Sequence, residues 1–265
     1  MATATVGDLM KDWRTRRRRS QLALSIDVGV STRHLSFVET GRSRPSPELV
    51  LAVAEHLDVP LSDRNTMLLA AGYAPRYPKT ALDSPAMDRI RGSIQRLLDA
   101  HNPYPGVAID RAWNVVLAND AASALTNGIP THVLEPRRNV FRMCLHPEGL
   151  AERTLNFDDW ASYLLRQIRR AVQLTGDTEL QRIEHEVTAY PNLRALPRPV
   201  EIGRNDEPPL LVPIILSADQ GELSMFTTLT TFGTPRDVTL DELCVELFFP
   251  ADDFTENALR SAAGA

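Results

Sequence analysis

A chain of 265 residues, 43% of them hydrophobic, is ordinary for a globular protein, with room for two domains. It contains no run of roughly 20 apolar residues to span a membrane, and its N-terminus lacks a basic, then apolar, export signal, so a cytoplasmic protein without a membrane partner is expected. The net charge of −5 would repel nucleic acid if spread evenly, but residues 11–44 hold 9 Lys and Arg against 3 Asp and Glu, a basic patch on an acidic chain.

Five short helices are predicted in the first seventy residues. Val6, Leu9, Met10 and Trp13 recur at helical spacing and give the first helix one apolar face before the Arg16 to Arg19 run. Ser20 caps a second helix that carries Leu22 and Ile26 and stops at Gly29. Ser31 caps a third, with Leu35 and Val38 facing inward and Gly41 ending it. Ser46-Pro47 opens the fourth, because proline suits the first helical position, and Ser62 opens the fifth, which Gly72 closes.

The second and third helices, joined at Gly29-Val30, have the spacing of a helix-turn-helix, whose second helix enters the major groove. Opposite Leu35 and Val38 the third helix presents Thr32, Arg33, Ser36 and Phe37, suited to base edges: arginine to guanine, a methyl or an aromatic ring to the thymine methyl. Gln21, Ser31, Arg17, Arg42 and Arg44 are expected on phosphates. The run from Gln21-Leu22 through Gly29-Val30-Ser31 to His34-Leu35-Ser36-Phe37-Val38-Glu39-Thr40-Gly41-Arg42-Ser43-Arg44-Pro45-Ser46 resembles an Xre-type, phage-repressor-like helix-turn-helix. The resemblance implies that Gln21 clamps phosphate, that Thr32, Arg33 and Phe37 face bases, and that Glu39 is structural, holding the loop and a nearby arginine. Ser25 departs from it, standing where alanine is usual. A homodimer on a near-palindromic operator in double-stranded DNA follows as an expectation.

Beyond the prolines of 74–79, a bridging helix is capped at Ser84-Pro85 and carries Met87, Ile90, Ile94, Leu97 and Leu98. The expected divisions are residues 1–73 for the helix-turn-helix domain, 74–105 for linker and bridging helix, and 106–265 for a second domain. In that domain the period changes to 2: Gly106 to Ile109 and Val115 to Ala118 form a hairpin. The middle is helical, most clearly at Trp160, Tyr163, Leu164, Ile168 and Val172. Strands follow at Leu210–Ser217, Leu223–Phe232 and Leu243–Phe249, and the short turns between them favour antiparallel pairing. The expected fold is therefore α followed by α+β, a five-helix domain joined to a five-stranded antiparallel sheet. Cys144 and Cys244 are too isolated for a metal or disulfide motif and read as core thiols.

Asp110 to Asn119 resembles the opening of a PAS-type sensor. Asn139 to Leu150, the helix with Asp159-Trp160, Phe232-Gly233-Thr234-Pro235 and Phe248-Phe249-Pro250-Ala251-Asp252 resemble the MmyB-like regulator ligand-binding domain. What this implies is a PAS-like cup for a small apolar ligand, with fatty acids as one class. Trp113, Phe141, Phe226 and Phe248 are the candidate apolar lining, and Arg142 or His146 the cation for a carboxylate head. The alternative is a dimerisation or partner-docking domain with no ligand. No nucleophile elbow, phosphate loop, dinucleotide fingerprint or HExxH helix is present, so no enzyme, cofactor or metal is expected.

Overall fold

The structure, a computed structural model, describes residues 4–194, 196 and 211–263. It divides into two units, Met1–Ala86 with Phe232–Glu242, and Met87–Thr231 with Leu243–Ala265.

In the first unit, α1 (Val6–Arg16), α2 (Gln21–Asp27), α3 (Thr32–Glu39) and α4 (Pro47–His56) each begin at a hydroxyl cap: Thr5, Ser20, Ser31 and Ser46 accept backbone N–H groups of the first turn. Gly29 makes the α2–α3 turn at φ 71°, a left-handed conformation that a side chain would strain. Met10, Trp13, Leu24, Leu35, Val38, Val50, Val53 and Met67 form one core. Gly7 lets α1 approach α3 closely, since a Cβ there would stand 2.4 Å from the Val38 carbonyl oxygen.

The fifth helix, α5 (Leu61–Ala70), starts one residue before the expected Ser62, after Pro60. Its cap comes from far along the chain: the Leu61 N–H donates to Asp241 Oδ2 at 2.8 Å. Residues 232–242 thus depart from the simple turn expected between two strands and belong with this unit, where the Val238 N–H donates to the Pro78 carbonyl (2.8 Å) and the Thr80 N–H to Asp237 Oδ2 (3.1 Å). The 74–105 division also splits: residues to Ala86 go with the first unit, and the bridging helix, α6 (Asp88–Ala100), with the second.

In the second unit β1 (Gly106–Ile109) and β2 (Val115–Ala118) form the expected hairpin. The chain then makes α7 (Asp120–Leu125), α8 (Thr131–Leu134), α9 (Val140–Leu145), α10 (Phe157–Thr175), α11 (Thr178–Thr188) and α12 (Pro191–Arg194) before β3 (Ile214–Ala218) and β4 (Gly221–Thr231). Leu210, the expected start of β3, lies outside the described residues, and residues 211–213 stay out of the strand, where Pro213 has no N–H to pair. The short α13 (Val238–Asp241) is in the segment counted with the first unit; β5 (Cys244–Pro250) and α14 (Asp253–Ala263) complete the second.

The sheet runs β2-β1-β5-β4-β3, antiparallel throughout, so the last strand enters beside the first. Register assigns the faces, because directly opposed residues point the same way. Val107 opposes Glu246, Ile109 opposes Cys244 and Thr227 opposes Phe248 on the face toward the main core, with Phe141, Trp160, Leu164 and Ile168. Phe226 opposes Phe249 on the reverse face. Asn119, 1% exposed, ties α6, β1 and α7 together: its side chain accepts from the Gly106 and Ala122 N–H groups and donates to the Leu98 and Tyr104 carbonyls.

Candidate DNA interface and ligand cavity

The network that sets α2 against α3 centres on Glu39, buried despite its charge. Arg14 donates to it through Nε (2.7 Å) and Nη2 (2.8 Å), and Gln21 donates Nε2–H to the same carboxylate at 2.7 Å. The hydrogen bonds from Arg14 raise that guanidinium's pKa above its ordinary value. Glu39 therefore holds the residue expected to clamp phosphate, and Arg14 is the arginine it pairs with, a residue the sequence left unassigned. Ser25, the departure from the usual alanine, is buried and its hydroxyl lies 2.9 Å from that of Thr32. The Thr32 hydroxyl is thus turned toward α2, and its methyl is the part suited to a thymine.

Arg33 is exposed, its guanidinium carbon 5.3 Å from the centre of the half-buried Phe37 ring; Arg42 lies 5.9 Å from the same ring. Neither arginine has a carboxylate partner among the described residues. Ser36 is half-buried on the same helix, and Ser31 accepts the His34 N–H as the cap of α3. Arg17 and Arg44 differ from the expectation. Arg17 donates to the Leu57 and Asp58 carbonyls (2.8 and 3.0 Å) and Arg44 to those of Ala71 and Gly72 (2.9 and 3.3 Å). Each satisfies carbonyls that a helix end leaves open; the sequence shows an arginine but not which helix end will reach it.

In the second unit the expected ligand residues are not all brought together. Phe248 lines a cavity of about 70 Å³, with Val107, Val140, Met143, Cys144 and Glu246 among its walls. Trp113 and Phe141 pack on each other in the core, centroids 4.8 Å apart, and Phe226 stacks on Phe249 on the reverse face of the sheet. Arg142 faces away from the cavity into a two-pronged pair with Glu186 (both contacts 2.7 Å), whose Oε1 also accepts the Tyr190 hydroxyl. This pair holds the Glu186 carboxyl below its ordinary value. His146 follows the end of α9 in extended conformation, so it does not share the helix that carries Arg142. Its ring lies edge-on to His132 and Tyr190, and burial with His132 nearby lowers its pKa.

Two groups escaped the sequence reading. His132, His146 and Glu148 offer ligand atoms within 4.8 Å of one another, a set that could hold a metal ion. His146 Nδ1 already accepts the Glu148 N–H at 3.1 Å, which leaves the neutral ring's proton on Nε2 and works against metal binding there. The second is Glu246, 4% exposed in β5. Burial pushes its carboxyl up to about 7, a hydrogen bond from Thr227 acting in the opposite sense, and the neighbouring Cys144 thiol is pushed up to about 12 by burial. Alternation in Cys244-Val245-Glu246-Leu247-Phe248 places this glutamate inward with Cys244 and Phe248, a signal present in the sequence.

Residues 90–262 match the MmyB-like transcription regulator ligand binding domain, about two thirds of the chain. The chain belongs to that family. Residues 5–67 match a helix-turn-helix domain, so this MmyB-like protein is a DNA-binding transcription regulator with a domain for a small-molecule ligand. No curated protein matches the chain. Among solved structures, an RNA-binding light-oxygen-voltage receptor is similar at 14% identity and a TM-score of 0.28; the match covers 97% of this chain and 63% of that one. Among the described residues no helix is long and apolar enough to cross a membrane.

Proposed function

We propose that the protein is a sequence-specific, Xre-type regulator that binds a near-palindromic operator as a homodimer and whose DNA affinity responds to a small, largely apolar ligand. The observation that carries the DNA reading is the outer face of α3, where Arg33 and Phe37 sit beside Arg42 with both guanidiniums uncommitted to any carboxylate among the described residues. Arg33, Phe37, the Thr32 methyl and Ser36 read bases; Gln21, Ser31 and Arg42 hold phosphates. Arg17 and Arg44 serve the helix ends that position these groups. The protein acts in the cytoplasm and is no enzyme, since the chemistry it presents is recognition.

The test is fluorescence anisotropy on an operator obtained by in-vitro selection. Arg33→Ala should cost about 1–3 kcal/mol at one base position, and Arg42→Ala should weaken binding to all sequences and lower the salt slope by about one. An unchanged affinity for Arg33→Ala would remove α3 from the groove. The second reading, a docking or dimerisation domain without ligand, is favoured by the cavity's size, since drug-sized ligands occupy roughly 300 Å³ or more. Native mass spectrometry separates the two by showing a retained small molecule or none. For a fatty acid head, Arg142 is engaged by Glu186 outside the cavity, and the cation in the lining is the exposed Arg138.

A further inference from the structure

We propose that the cavity beneath β5 takes an apolar molecule whose head donates a hydrogen bond, an amine or a hydroxyl, to Glu246 Oε2. The proposal deepens the ligand-sensing reading and rests on it.

Glu246 lines the cavity, and its Oε2 has no hydrogen-bond partner among the described residues. Proteins leave few buried polar atoms unsatisfied, because each costs about 1–3 kcal/mol and more when charged. A glutamate kept in the middle of a strand, between the inward-facing Cys244 and Phe248, therefore calls for a partner absent from the chain itself. Most of the remaining walls, Val107, Val140, Met143, Cys144 and Phe248 among them, are apolar and suit a hydrocarbon body, with Ser123, Thr126 and Arg138 as polar exceptions. Thr227 on β4 bonds the carboxyl but leaves Oε2 without a partner, and the residues directly opposite Glu246, Val107 on β1 and Leu229 on β4, cannot donate from their side chains.

The sign of the site follows. An ionised carboxylate accepts only, and a second carboxylate brought beside it would meet like charge in a poorly solvated place. Arg138, the cation among the lining residues, is exposed at the rim. The buried end of the cavity thus favours a donor and disfavours an acid. Its volume of about 70 Å³ suits a head and a few carbons.

Four probes of similar size test this on the full chain by ligand-observed NMR titration: 1-butylamine, 1-butanol, diethyl ether and butyrate. At pH 8, where Glu246 is ionised and cannot donate, at least one of the two donors should bind about tenfold or more tightly than ether, which can only accept. Glu246→Leu should abolish that preference. Glu246→Gln should weaken butylamine, because an amide offers an ammonium no charge, and should narrow the preference of butanol over ether, because the amide N–H can donate to either oxygen. Raising the pH from 6 to 8 should strengthen butylamine binding as Glu246 ionises, which distinguishes the amine from the hydroxyl. Butyrate or ether binding as tightly as the donors would overturn the proposal while leaving the ligand cavity standing. Failure of all four to bind would overturn both.

Discussion

Replacing Glu39 by alanine removes the centre of the network that joins α1, α2 and α3. Its side chain is 1% exposed and that of Arg14 13%, so the loss leaves a guanidinium nearly out of water without its partner. Breaking a buried pair from one side costs about 3–5 kcal/mol. Arg14 retains a bond to the Arg19 carbonyl at 2.9 Å and some solvent, which places the expected cost near the lower end, about 3 kcal/mol. Hydrogen exchange of peptides from α1 to α3 reports this unit alone, and a loss of that size speeds exchange roughly a hundredfold where opening is global. The double variant Arg14→Met, Glu39→Leu removes both charges together and should recover most of the protection. Its operator affinity should nonetheless stay low, because Gln21 has lost the carboxylate that receives its Nε2–H. Protection in Glu39→Ala within tenfold of the parent, or a double variant as unprotected as the single one, would refute the assignment of Glu39 as the anchor.

Gly7→Ala should destabilise the first unit by about 1–3 kcal/mol, read as a lowered denaturation midpoint, because the new methyl meets the Val38 carbonyl and the two helices must part. Glu246 gives a pH signature: its folded pKa is raised to about 7 from 4.5, so the native state binds the extra proton between those values and stability falls as pH rises through that window. The difference amounts to about 3 kcal/mol. Chemical denaturation of the parent at pH 4.5 and 7.5 should show this fall relative to Glu246→Leu, and parallel profiles would place Glu246 in contact with water.

How far sequence reasoning reached depended on distance along the chain. Caps act on groups three residues away, which is why Ser20, Ser31 and Ser46 located α2 to α4 and Ser62, whose helix is capped by Asp241, misled by a residue. Strand periodicity likewise located β1 and β2, and placed β4 and β5 within two residues. The basic patch was legible, but the roles within it were not: Arg17 reaches carbonyls some forty residues on and Arg44 those just past α5, whereas Arg33 and Arg42 remain outward.

By itself, then, the sequence determined where α2 to α4, β1 and β2 begin, that a helix-turn-helix lies within the first seventy residues, and which side chains α3 turns outward, because those depend on neighbours a turn or a pleat away. Tertiary structure decided which charges are spent and which are free. Arg142 looked like a ligand's counter-ion until Glu186, on another helix, took it, and Glu246 looked like one more acid until β1 and β4 closed around it and left its Oε2 without a donor. Pairing and burial between distant segments carry no local periodicity, and they set both the electrostatics of the cavity and the chemistry it can accept.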